Sequence, residues 1–181
     1  MLATIIARTG SAPRGIGTGM TVSKDGVQTG TVGGGSLEFR ARQDALALLQ
    51  AVDCAVKQYE IHTDEKTVYS GAVTILFRPL AGESGRALLH DMTLALESGQ
   101  EAYLACQILE GCVLESKVFS SEMLCERCNL PCAPEESILT QGKDCWLVEP
   151  IASLPRVILL GGGHVAQCMA RQLGCWSTAF G

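Results

Sequence analysis

The stretch from Arg156 to Gly181 constrains the fold more than any other, because it starts a structure that it does not complete. Arg156-Val157-Ile158-Leu159-Leu160 is an apolar, β-branched run, and Gly161-Gly162-Gly163-His164-Val165-Ala166 follows it at once. That order predicts a buried strand entering a G-x-G-x-x-A turn and then a helix. Gly161 would make the tight turn, Gly163 would let the backbone approach a pyrophosphate, and Ala166 would let the helix pack on the strand. Amides at the helix N-terminus, with His164 beside them, would face the anion. The acidic residue that holds a ribose belongs about 20 residues further on, yet the sequence stops at Gly181, where the second strand would be finishing. A single β-α-β start cannot form a doubly wound sheet. Residues 154–181 are therefore expected to be the truncated start of such a domain, and dinucleotide binding by this chain alone is the weaker reading. A tight β–α turn without a ligand is the plain alternative.

The rest of the chain reads as α/β in two parts. Over 1–80, strands are predicted at Leu2–Arg8, Met20–Val22, Val27–Val32, Val56–His62 and Ala72–Phe77, with Asp25-Gly26 as a hairpin turn. A helix after Gly35 would bury Leu37, Ala41, Ala45, Leu48, Leu49 and Val52 on one face. Over 81–153, a second helix, Ala87–Glu97, turns Leu88, Leu89, Met92, Ala95 and Leu96 inward and stops at Gly99. A hairpin of Ala102–Leu109 with Val113–Phe119 follows. The segment 120–140 reads as a polar loop or insertion rich in proline and cysteine, Cys145–Glu149 as a strand, and 150–155 as a linker.

Composition narrows the class. The chain is 47% hydrophobic and 18% charged with a net charge of −5, which is globular and not disordered. Its cations are scattered rather than striped, which argues against nucleic-acid binding. No apolar run is long enough to cross a bilayer, and Met1 to Ile6 reads as a strand rather than a signal peptide. A cytoplasmic protein without a membrane partner is expected. Nine cysteines, an odd number without a secretory signal, argue for reduced thiols.

Two further clusters could carry chemistry. In Thr31-Val32-Gly33-Gly34-Gly35-Ser36-Leu37-Glu38, glycines before a helix can turn successive amides toward an oxyanion, with Ser36 near the cap. The alternative, favoured on composition alone, is a tight corner that Ser36 merely caps. Cys125-x-x-Cys128 with Cys132 could hold zinc or an iron–sulfur cluster, with Cys112 or Cys145 completing a zinc site, but neither pattern is complete. Free thiols in a solvent-facing loop are the favoured reading there. His62, His90 and His164 are isolated, and no catalytic residue is assigned.

Three blocks then resemble the XdhC/CoxI family: Gly10-Ser11-Ala12-Pro13-Arg14, Gly30 through Glu38, and Leu154-Pro155-Arg156-Val157 through Val165. The resemblance implies an N-terminal mixed α/β domain, an incomplete Rossmann-like start, and a homodimer. It also implies a role in binding molybdenum cofactor transiently, protecting it during sulfuration, and passing it to a xanthine-dehydrogenase-type apoenzyme, with a cofactor sulfurase as a second partner. Such a protein is a carrier rather than an enzyme. The cofactor residues implied are Ser11, Arg14, Gly33, Gly34, Gly35, Ser36, Glu38 and Ser70, with Gly161, Gly163 and His164 in the second glycine loop. Family members usually carry cysteine where Ser36 stands, and Cys-Gly-Gly where this chain has Ser70-Gly71-Ala72. A serine hydroxyl is neither a soft ligand nor an unaided nucleophile, so retained activity is a separate question from membership. The chain also begins on its first strand, without the family's upstream helix, and stops inside the Rossmann-like part, as a truncated copy would. The competing functions are a fragment of an NAD(P)-dependent oxidoreductase built on Gly161 to Ala166, and a thiolate metal module over Cys125 to Cys132.

Overall fold

A computed structural model describes residues 1–12, 14–61, 71–140, 145–151 and 159–179, the side chains of the last segment only as far as 173. Its strands are β1 (Leu2–Gly10), β2 (Gly19–Val22), β3 (Gln28–Gly30), β4 (Ala55–Ile61), β5 (Gly71–Arg78), β6 (Ala102–Leu109), β7 (Cys112–Ser120), β8 (Ile138–Leu139) and β9 (Cys145–Ile151). The helices are α1 (Gly35–Ala51), α2 (Gly82–Ser98), α3 (Ser121–Cys128) and α4 (His164–Ala179). The strands form two antiparallel sheets, ordered β3-β2-β1-β5-β4 and β7-β6-β9-β8. The mixed α/β class expected from the sequence is what the chain adopts.

Alternation along the strands explains the layering. In the first sheet Ala3, Ile5, Met20, Val22, Tyr59, Val73, Ile75 and Phe77 are buried against Leu37, Ala41, Ala45 and Leu49 of α1. The opposite face, through Ile6 and Leu76, meets Leu104, Cys106, Ile108 and Leu147 of the second sheet. A bulge between Ile5 and Ala7 shifts the register of β1 against β5 there. The far face of the second sheet, through Tyr103, Ala105, Phe119, Trp146 and Val148, buries Leu124 and Cys128 of α3. The order of layers is helix, sheet, sheet, helix, with Leu88 and Met92 of α2 packed at the inter-sheet core.

Several expectations need correction. Segment 120–140 is not all loop: Ser120 caps α3 by accepting a bond from the Met123 amide at 3.4 Å, and Leu124 and Cys128, one turn apart, are its buried residues. That pair of apolar positions was hidden among cysteines and charges. Val52 does not continue the buried face of α1. It is the left-handed cap, φ 53°, and is 57% exposed. Leu89 and Leu96 of α2 point outward, because only the Leu88–Met92 side meets the sheets. Pro150 and Ile151 belong to β9 rather than to a linker. The strand expected over 156–160 lies largely outside the described residues; Leu159 and Leu160 are not in a strand, and Leu160 is 93% exposed.

The start of α2 is set by one close approach. A Cβ on Gly85, which is buried, would sit 2.4 Å from the carbonyl carbon and oxygen of Leu80. Gly85→Ala is therefore expected to lower stability by about 1–3 kcal/mol, since backbone must move to admit the methyl. An unchanged denaturation midpoint would show that α2 is not seated against Leu80.

Candidate functional site

The first glycine loop joins β3 to α1, and its geometry follows from three consecutive residues that only glycine tolerates. Gly33, Gly34 and Gly35 have φ of 130°, 77° and 61°, a region closed to most side chains. Beside Gly34 and Gly35 a Cβ would meet nothing within 4 Å, so backbone strain, not crowding, requires glycine there. The open space leaves room for a ligand to approach the main chain.

Glu38 fills the inside of this loop. Its Oε2 accepts from the Thr31 hydroxyl and from the amides of Val32 and Gly34, each amide at 3.1 Å. The Thr31 oxygen in turn accepts from the Gly33 amide at 3.1 Å. The Thr31 hydroxyl above all, then Gln28 and the amides of Val32 and Gly34, hold the Glu38 carboxyl below its ordinary range against the opposing effect of burial. The first helix-type bond runs from the Glu38 amide to the Gly34 carbonyl. The amides of Gly35, Ser36 and Leu37 precede it and have no intrahelical acceptor. Ser36 is exposed and makes no capping bond.

The direction of α1 decides what lies near its start. Arg40 donates to the Glu60 carbonyl at 2.8 Å, and further along the helix Asp44 accepts from Lys57 and Tyr59 at 2.5 Å each. The helix thus runs antiparallel to β4, with its N-terminus at the end where Ile61, Gly71 and Gly10 stand side by side. Ser11 follows Gly10 directly, and its backbone lies within 3.1–3.2 Å of where a Gly71 Cβ would be. Ser11, Gly71 and the N-terminus of α1 thus lie toward the same end of the first sheet, but no contact described among them joins the Gly33–Ser36 loop to Ser11 or Gly71. Arg14 is exposed on the turn that follows Ser11. Ser70 and His62 lie outside the described residues.

Other expected site residues are placed elsewhere or left apart. Gly161, φ 108°, and Gly163 precede α4, whose first residue His164 is exposed. That loop's own bond is Gln167 Nε2 to the Gly162 carbonyl at 2.9 Å, and Val165 and Met169 beyond it are 75% and 47% exposed. Cys128 is buried, with its thiol pushed up by desolvation, while Cys125 is half-buried on α3 and Cys132 is exposed. Among the described residues no three histidine, cysteine or acidic side chains are grouped to hold a metal ion.

Sequence reasoning passed over one polar cluster altogether. Arg78, 3% exposed, bonds Cys106 Sγ through Nη1, and Thr4 Oγ1 at 3.3 Å and Glu149 Oε2 at 2.7 Å through Nη2. Ser116 donates to the same sulfur at 3.1 Å. The cluster lies between the sheets, behind a cavity of about 330 Å³ lined in part by Arg78, Ser84, Leu88 and Ser116. The only sequence signal was an arginine closing an apolar strand.

With this geometry in place, comparison with known proteins gives two findings. Residues 1–60 match the XdhC and CoxI family, a segment that contains the glycine loop and all of Glu38's partners. The fold is similar to that of a crystallised protein from Bacillus halodurans described as a xanthine dehydrogenase, at 25% identity and a TM-score of 0.59. The likeness covers 67% of this chain and 38% of that one, so the chain spans well under half of that protein's length. No curated protein sequence matches. No helix among the described residues is long and apolar enough to cross a membrane.

Proposed function

We propose, from the match of residues 1–60 to the XdhC and CoxI family, that the chain is an accessory protein of a xanthine-dehydrogenase-type enzyme which binds molybdenum cofactor and delivers it. The observation that carries this reading is the glycine loop inside the matched segment, pinned from within and open outside. Molybdopterin is the cargo, and its phosphate is the part such a loop suits. The free amides of Gly35, Ser36 and Leu37 present a helix N-terminus to an anion. Arg14, exposed a few residues after Ser11, would add a cation for the same anion.

Ser36 changes what the loop can do. A hydroxyl can hydrogen-bond an oxo or phosphate oxygen, but it offers molybdenum no thiolate. The chain would therefore hold its cargo by the organic part and leave the metal unligated by position 36. An apoenzyme, a sulfurase and a second copy of the chain are the partners this role calls for.

The test is retention of molybdopterin by protein purified from a cell that makes the cofactor, measured as its fluorescent oxidation product. Wild-type protein should retain it, and Gly34→Val should lose it, because a β-branched residue at φ 77° is strained by about 1–3 kcal/mol. Ser36→Cys should retain more than wild type. Wild-type protein with no more pterin than an unrelated protein from the same cells would end the reading.

A further inference from the structure

Of the residues gathered at the first glycine loop, Glu38 is the one whose role the geometry redefines. We infer that Glu38 is a positioning residue: it does not touch the cargo, but holds the Thr31–Gly34 loop so that the next three amides face outward. The inference rests on the carrier reading for what those amides bind.

Three observations lead to it. The carboxylate oxygen Oε2 already accepts from Thr31, Val32 and Gly34, and Gln28 also bonds the carboxyl, so the oxygen turned into the loop has its acceptor sites filled by the protein itself. The Thr31 hydroxyl that donates to Glu38 also accepts from Gly33, which makes the amides of residues 32, 33 and 34 one inward-facing set. Finally, Gly33, Gly34 and Gly35 have no conformational preference of their own strong enough to keep φ at 130°, 77° and 61°. Something must fix them, and the described bonds assign that to Glu38. The arrangement is close to a capping box, with the acidic side chain reaching back to the N-cap amide of Gly34. A carboxylate there would repel an anionic cargo if the two met directly. Turned inward, its charge is held by its donors on the inner side of the loop, and the outward amides keep their positive end.

The experiment compares Glu38→Gln and Glu38→Ala in the full chain by amide hydrogen exchange and by retained molybdopterin. The alanine variant should exchange the Val32 and Gly34 amides about tenfold faster or more, with the Ile75 amide unchanged, because a charge-assisted bond is lost only locally. Its pterin retention should fall by a similar factor. The glutamine variant keeps an oxygen acceptor without the charge, and should fall between wild type and alanine in both measurements. In wild-type protein the amide shifts of Val32 and Gly34 should titrate together with the carboxyl. With its pKa depressed, the bonded form is present above the ordinary carboxylate range and is lost as pH falls through a lower value. Unchanged exchange in Glu38→Ala overturns the inference. So does a glutamine variant that keeps its loop protected yet loses pterin as fully as alanine, since that would make Glu38 a direct contact. Wild-type protein without pterin defeats the carrier reading and the cargo half of this inference, and the exchange comparison still decides whether Glu38 holds the loop.

Discussion

Replacing Arg78 alone with methionine is expected to lower stability by about 3–5 kcal/mol, the cost of leaving a buried charge without its partner. The Arg78 side chain is 4% exposed and that of Glu149 15% exposed, with 2.7 Å between Nη2 and Oε2. Burial disfavours the guanidinium charge, but Glu149 and Cys106 outweigh it and raise the arginine's pKa above its ordinary value. Methionine would fill the space of the arginine stem, yet Glu149, Cys106 and Thr4 would each lose a donor. The double change Arg78→Met with Glu149→Leu should recover most of the loss, because a buried pair replaced by apolar residues is often neutral. Arg78 Nε has no partner among the described residues, so the cluster is already short of complete satisfaction. Urea denaturation of the two variants decides the matter. A loss below about 1 kcal/mol in the single variant would place the pair among surface-like bridges instead.

What the sequence made legible was local. Alternation and hairpin chemistry located every strand but β8 to within about two residues, and Asp25-Gly26 marked the first hairpin, where Gly26 has φ 82°; β8 fell inside the stretch read as loop. The glycine-rich run before α1 announced strained backbone, and Gly34 and Gly35 have it. What stayed hidden depends on contacts across long stretches of chain. Arg78 meets Glu149, 71 residues away, and Thr4, 74 residues away, and no pattern along one strand encodes that. Glu38 was legible as part of a motif but not in its role. Spacing put it near the loop, while only the bonds show its carboxylate turned inward. The α3 helix was missed for another reason: its buried face is only Leu124 and Cys128, too few positions to reveal a helical period against a cysteine-rich background.

The second large effect separates the two faces of the first sheet. Phe77→Ala should cost about 3–5 kcal/mol, the range for truncating a buried aromatic whose site cannot collapse. Phe77 is fully buried and meets the Tyr59 ring edge-on, with centroids 6.5 Å apart and planes at 62°, a geometry that adds to its area term. It precedes Arg78 on β5 and points the other way, into the core under α1. Those neighbours thus report on different interfaces of one strand. Trp146, 3% exposed in the core between the second sheet and α3, gives a probe remote from Phe77; with Trp176→Phe removing the other indole, its fluorescence follows the second sheet alone. If the shared apolar core of Ile6, Leu76, Leu104, Cys106 and Leu147 makes the sheets one cooperative unit, Phe77→Ala will lower the Trp146 transition as much as the circular-dichroism transition. A Trp146 midpoint that stays at its wild-type value while the helix signal melts earlier would show two units folding separately. In that case the Arg78–Glu149 bond would be a contact between them, and its removal would cost far less than a buried charge inside one core.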